Sequence, residues 1–233
     1  MCGRYTLTDL GEELLRQFQL PLLPPDYRPR YNIAPSQQVP VIVSVDGQRR
    51  IGMMRWGLVP SWAKEPSIGH RMINARAESV AEKPAFRTAL RRRRCLIPAD
   101  GYYEWQVRNG RKQPVRFVGA RQRVFAFAGL WESWQPPAAN DGAQEPPSRL
   151  VTCTIITTAA NDFARQVHDR MPVILPPEAY ALWLDPKVQD PEAVLPLLTA
   201  PPEDALRAYD VSTLVNSPAN DVPACVEPLP EDE

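Results

Sequence analysis

The residue of this sequence with the most chemistry in its address is the cysteine at position 2. Methionine followed by a small residue is a normal substrate for initiator-methionine removal, which would leave Cys2 with a free α-amine beside its thiol. That pair is a 1,2-aminothiol. The amine is only moderately basic and an unperturbed thiol has a pKa of roughly 8.5, so both nucleophiles are partly available near neutrality. Their natural partner is an aldehyde: the amine forms a Schiff base, and the thiol closes on the same carbon to give a five-membered thiazolidine. The competing interpretation is a small buried cysteine, the default for a lone Cys.

Three further residues have the right types. Asn74 lies in R-M-I-N-A-R-A-E, with Arg76 two positions on and Glu78 four; taken alone, a short polar side chain before an Ala-rich stretch reads as a helix cap. Glu104 lies in G-Y-Y-E-W, on a strand whose alternation gives it a common face with Tyr102 and Gln106. The plain reading is an exposed edge carboxylate, whereas burial near aromatics would raise its proton affinity toward that of a general acid. His168, in V-H-D-R-M-P-V-I-L, is one of 2 histidines in the chain, and histidine is the side chain whose ordinary titration lies nearest neutrality.

Other chemistries lack their signatures. No two glycines stand in G-x-G spacing, and there is no P-loop or G-x-S-x-G elbow. The 4 cysteines, at positions 2, 95, 153 and 225, are widely spaced without a C-x-x-C pair, which points to neither a zinc site nor a disulfide scaffold. No metal and no cofactor is expected. Free cysteines fit a reducing cytosol, and no apolar run is long enough to span a bilayer. The sequence therefore predicts a cytoplasmic protein with no membrane contact.

The elements that must position these residues are short. Among 233 residues there are 27 prolines, which disfavour long helices and suit short strands joined by irregular connections. Asp9 to Leu20 reads as an amphipathic helix capped by Asp9, with Leu10, Leu14, Leu15 and Phe18 on one face. Val39 to Met53 reads as a hairpin turning at Asp46-Gly47, and Asn109-Gly110 makes a second hairpin turn. Further strands are expected over Arg94 to Ile97, Tyr102 to Val107, Pro114 to Val118, Val124 to Trp131, Leu150 to Thr157 and Val173 to Leu175. Short helical segments are expected after Ala75, Asn161, Pro177 and Pro191, and a surface loop over Gln135 to Ser148. The class is α+β, in one domain.

Charge sums to zero, so attraction to nucleic acid must come from a local patch. One is present: Arg71 to Arg94 holds eight basic residues against two acidic, while the stretch after Cys225 has four acids and no base. Alternation sends only half of the run Arg91 to Arg94 to any one face, so part is solvated or ion-paired and part is available to phosphates. Trp56, Trp62 and Tyr31 are expected to be exposed as surfaces on which bases stack.

Taken together and in order, M-C-G-R-Y, R-Y-N-I-A-P, W-G-L-V-P-S-W, I-N-A-R-A-E, D-G-Y-Y-E-W and H-D-R-M-P-V-I-L closely resemble the SRAP (SOS-response-associated peptidase) family. The resemblance implies one α+β SRAP domain over residues 1–225, with a β-barrel-like mixed sheet core, short peripheral helices and an acidic C-terminal tail at 226–233. It implies a groove for single-stranded DNA and a covalent thiazolidine between Cys2, once Met1 is removed, and the ring-opened sugar aldehyde of an abasic site. Carried over, Asn74 would hold the N-terminal amine or sugar, Glu104 would open the sugar ring and shuttle protons, and His168 would assist Schiff-base formation and reversal. Arg4 and Arg76 would hold phosphates and Trp62 would wedge against neighbouring bases. The expected partner is single-stranded DNA containing abasic sites, met by a monomer, with a weak AP-lyase side activity. Two other readings stand beside this one. One is a cysteine-type peptidase, including self-removal of Met1; the other is a non-covalent reader of modified bases, which would need the basic segment and aromatics but not Cys2, Glu104 and His168.

Overall fold

The computed structural model describes residues 2–136 and 149–230; the loop expected from Gln135 to Ser148 lies almost wholly outside the described residues. In chain order the elements are β1 (Tyr5–Leu7), α1 (Glu12–Phe18), β2 (Arg30–Ile33), β3 (Gln38–Val45), β4 (Gln48–Trp56), β5 (Asn74–Arg76), α2 (Arg87–Arg92), β6 (Arg94–Ala99), β7 (Gly101–Arg108), β8 (Arg111–Gly119), β9 (Phe125–Trp134), β10 (Leu150–Ala159), α3 (Asp162–Arg165), β11 (Arg170–Pro172), β12 (Ile174–Leu175), α4 (Tyr180–Leu184) and β13 (Leu206–Asp210). The expected α+β class holds, with helices that are few, short and peripheral.

Both predicted hairpins form. β3 and β4 pair from Val45↔Gln48 to Gln38↔Arg55, and β7 and β8 from Arg108↔Arg111 to Gly101↔Val118. Each turns through two left-handed residues, Asp46 and Gly47 (φ 51° and 76°) and Asn109 and Gly110 (φ 51° and 75°), the geometry whose twist matches antiparallel strands.

Two sheets result. Five strands run in the order β13-β8-β7-β1-β2, and the larger sheet runs β11-β10-β4-β3-β6-β9-β12 with β5 attached to β10. Because β10 also pairs with β9, over Leu150↔Trp134 to Ile155↔Gly129, the strands β3, β4, β10, β9 and β6 close on themselves. This is the barrel-like core. It is mixed because β10 runs parallel to β4 and β5 but antiparallel to β9 and β11. The main apolar core, holding Tyr5, Trp56, Tyr102, Phe117 and Phe127, extends onto the inner face of the five-stranded sheet.

Several details differ from the sequence expectations. In the first helix only Leu14 and Phe18 are fully buried, and Leu10 is 83% exposed because it precedes the helix. Asp9 accepts from the Gly11 and Leu14 backbone N–H groups at 2.7 and 3.4 Å, so it does serve the helix start. The helix expected after Ala75 is a single 3-10 turn, Ala77–Ser79. Asn161 caps α3 through Ala164 N–H at 2.9 Å. The outer face of the five-stranded sheet is covered by the C-terminal segment, whose Val211, Val215 and Cys225 pack on Tyr103. That segment is tied down by a Val211↔Pro228 bridge and by Leu229 N–H donating to Asp210 O at 2.9 Å. The stretch expected as a tail from 226 is therefore anchored as far as Leu229.

Candidate active site

Alternation on β7 decides the placement of Glu104. Its hairpin partner Val115 points into the main core, whereas Tyr103 and Arg116, the next pair, point outward. Glu104 is therefore inward-facing and only 4% exposed, not the exposed edge carboxylate of the plain sequence reading. Burial pushes its carboxyl above the ordinary carboxylate range, with His168 pulling the other way.

Cys2 is fully buried. Burial pushes its thiol above the ordinary range, and the neighbouring Glu104 adds to the rise. Its backbone is gripped from the large sheet. Asn74 Nδ2 donates to Cys2 O at 2.9 Å, and Asn74 is set by the parallel pairing of β5 with β10 through Ile155↔Asn74, Ile156↔Ala75 and Thr157↔Arg76. The helix-cap reading of Asn74 thus gives way to a strand residue whose amide reaches the N-terminal segment ahead of β1. Its Oδ1 is buried with no hydrogen-bond partner among the described residues.

His168 follows α3, its backbone N–H donating to Ala164 O at 3.1 Å. Its Nδ1 accepts from Arg170 N–H at 3.0 Å and lies 2.9 Å from Asp169 Oδ1. Arg170 in turn forks onto Glu78 at 2.6 and 3.0 Å and donates to Thr157 O at 2.7 Å. The sequence segments around Asn74 and His168 are locked together by this one arginine, whose charge lowers the Glu78 carboxyl pKa through direct hydrogen bonds. Glu104 and His168 line a common cavity of ≈ 400 Å³ with Trp105, Lys112 and Asn216. Cys2, Asn74, Glu104 and His168 are thus one constellation drawn from four distant parts of the chain.

The expected DNA-facing residues are distributed less uniformly. Arg76 is exposed at the end of β5, and Trp62 is 59% exposed on a loop held by Trp134 Nε1 donating to Ala63 O at 2.7 Å. Arg4 is half-buried, its Nη1 donating to Asn32 Oδ1 and Val215 O, each at 2.7 Å, and its guanidinium lies 5.7 Å over the Trp105 ring. At least part of Arg4 is structural. Trp56 is fully buried, contrary to the expected exposed platform, because its indole donates to Ile73 O at 2.9 Å beneath β5. Arg94 is also interior, donating to the carbonyls of Trp183, Leu90, Arg91 and Asp185, while Arg93 pairs with Glu132 at 2.7 Å. Of that basic run, Arg91 and Arg92 remain exposed.

Sequence reasoning missed the support from the C-terminal segment. Asn32 Nδ2 donates to the carbonyls of Val215, Ser217 and Asn220, and Asn216 Oδ1 accepts from Trp105 Nε1 at 2.7 Å. Asn32 lies inside the motif R-Y-N-I-A-P, which was the available signal; Asn216 lies in none. Among the described residues no group of three or more His, Cys, Asp or Glu side chains is arranged to hold a metal, and no helix is long and apolar enough to cross a membrane.

Asn74 and Glu104 meet Cys2, and His168 shares a cavity with Glu104, a centre set in a fold with a closed mixed β-ring. The chain belongs to the SRAP family, whose model, described as SOS response associated peptidase (SRAP), matches residues 1–218. It is 45% identical over 230 residues to the abasic site processing protein YoqW of Bacillus subtilis, covering 97% of this chain and 99% of that one. It is 35% identical over 272 residues to the abasic site processing protein HMCES of Gallus gallus, covering 98% of this chain and 78% of that one. A crystal structure of a protein from Bacteroides thetaiotaomicron shares the fold, with a TM-score of 0.82 at 24% identity over 98% of this chain and 100% of that one.

Proposed function

We propose that this protein captures abasic sites in single-stranded DNA as a covalent thiazolidine through Cys2, once loss of Met1 has freed the Cys2 amine. The observation that carries the reading is the grip of Asn74 on the Cys2 carbonyl beside a buried glutamate of raised proton affinity. Both support the reading of Cys2 as a nucleophile with a held backbone and of Glu104 as its general acid.

Glu104, protonated, donates to the sugar ring oxygen as the ring opens to its aldehyde. The Cys2 amine adds to C1′, and loss of water gives the iminium. The Cys2 sulfur then adds to the same carbon as its proton passes to the ionised Glu104 or to His168, and the C=N electron pair returns to the nitrogen, giving the thiazolidine. The proton released here balances the one taken up when water leaves, so the sum is aldehyde plus aminothiol to thiazolidine plus water. The iminium acidifies C2′, so β-elimination of the strand is available as a lyase side reaction until thiol closure removes the iminium. Arg76 and Trp62 are assigned to phosphates and to base stacking.

Peptide-bond attack by Cys2, the other reading, calls for a thiolate and for an electrophile poorer than an aldehyde. Self-removal of Met1 is compatible with either chemistry.

The test is a denaturing gel after mixing purified protein with single-stranded DNA bearing one abasic site. A heat-resistant adduct is expected, absent with Cys2→Ala or a blocked N-terminus and suppressed by methoxyamine. Cys2→Ser, which keeps the amine, is expected to give an adduct only when a borohydride reduces the Schiff base. Full heat-resistant adduct from Cys2→Ala overturns the reading.

A further inference from the structure

The outer face of the five-stranded sheet carries a second polar cavity, on the side opposite to Glu104, with a volume of ≈ 690 Å³. Arg116 and Val118 of β8 form its floor; Arg207 and Tyr209 of β13 and the turn holding Arg121 and Arg123 form its walls. The only carboxylate on the lining is Asp100, and it is used in place, accepting from Thr6 Oγ1, Thr8 N–H, Thr8 Oγ1 and Arg116 Nη2. Arg121 pairs at 2.7 Å with an exposed Asp204, a contact of small worth. Arg123 and Arg207 are exposed and form no ion pair with a described residue. Arg116 is 8% exposed, yet its Nε has no hydrogen-bond partner among the described residues. Arg116 packs closely on Gly101: a Cβ there would stand 2.8 Å from that Nε.

We propose that this cavity is a phosphate-binding site, separate from the reaction centre at Cys2. Arg116 is taken up by Asp100, Thr6 and Tyr209, which leaves Arg207 on the strand and Arg121 and Arg123 on the turn as the cations that face the cavity. A carboxylate is planar and one guanidinium fork satisfies it, whereas cations reaching in from a strand and a turn suit a tetrahedral group with three acceptor oxygens. In a chain of zero net charge, such a local excess sets what the surface attracts. The cavity is large enough for more than one phosphoryl group. The ligand is therefore a di- or polyphosphate, or the phosphodiesters of a nucleic-acid strand running outside the reaction groove, and the two share the same chemistry.

Isothermal titration of the full-length protein with pyrophosphate tests this. Saturable binding is expected, weakened at least about tenfold in Arg123→Gln/Arg207→Gln, where two charge-assisted donors are lost, and unchanged in Trp62→Ala. Succinate, the carboxylate control, is expected to bind more weakly than pyrophosphate. An undamaged single-stranded oligonucleotide that displaces pyrophosphate identifies a strand as the natural source; one that leaves it bound identifies a free polyphosphate, and either result upholds the site. No saturable pyrophosphate binding, equal binding by the double variant at unchanged Tm, or succinate binding as tightly overturns it. The double variant is expected to form the Cys2 adduct on a short abasic oligonucleotide at the parent rate, so failure of the adduct chemistry and failure of this cavity are read separately.

Discussion

Tyr102 and Tyr103 are neighbours on one strand and fully buried, yet they have opposite fates. Tyr103 faces outward, and its hydroxyl donates to the carbonyls of Tyr31 and Cys225 at 2.8 and 3.0 Å. Tyr102 faces inward, toward Cys2 and Glu104, and its hydroxyl has no hydrogen-bond partner among the described residues. The contrast extends over both faces of the sheet. Outside, Asp100, Asn32 and Asp221 each accept or donate several bonds. Inside, the Tyr5 hydroxyl and Asn74 Oδ1 are, like the Tyr102 hydroxyl, buried without partners among the described residues. An unsatisfied buried polar atom costs stability, so these three atoms close to Cys2 mark a centre shaped by something other than stability, whereas the bonded network of the outer face holds the fold.

The largest expected effect that tests this comparison lies outside. Asp100→Ala leaves Arg116 buried without its counter-charge and is expected to cost about 3–5 kcal/mol, measured by urea denaturation; a loss below about 1 kcal/mol would show that the outer network is dispensable.

The inner face is expected to respond with the opposite sign. Tyr102→Phe keeps the ring stacked on Phe117 at 4.8 Å between centroids and removes only the unpartnered hydroxyl. A gain of up to about 1–3 kcal/mol is expected, together with slower adduct formation; a variant both less stable and equally fast breaks the contrast.

Glu104→Gln sharpens it through pH. Because burial raises the folded-state proton affinity of Glu104, the ionised side chain opposes folding. The parent therefore loses stability as pH rises from the ordinary Glu value of about 4.3 through the higher folded value. The variant lacks this loss. It is expected to be modestly more stable than the parent at neutral pH and equal below about pH 4, by thermal melts across that range, while forming adduct more slowly. A stability difference that does not change with pH would place the carboxyl outside the buried setting described above.

Local sequence determined the parts whose information is short-range. Asp46-Gly47 and Asn109-Gly110 announce their hairpins because few other residue pairs accept two consecutive left-handed conformations, and Asn161 announces α3 because a side-chain oxygen meets the free N–H groups of a first turn. Pro21 and Pro186 stand just beyond α1 and α4, where the chain leaves the helix. The amine–thiol pair proposed at Cys2 was legible as well, since that proposal depends only on its address in the chain, and the inward face of Glu104 followed from alternation once β7 was in place.

Only the tertiary structure decided the rest. β1, β2, β5, β11 and β13 span three to five residues, and each is a strand because a partner elsewhere in the chain supplies its hydrogen bonds. That is why Asn74 reads locally as a cap and folds as the bridge to Cys2. It is also why Trp56 and Arg94, which pattern left at the surface, are interior: their polar groups find backbone carbonyls on Ile73 and Trp183 that no local signal reveals. Burial is a property of what the rest of the chain brings alongside. For the same reason the shifted proton affinities of Cys2 and Glu104, on which the proposed chemistry rests, belong to the fold and not to the residue types.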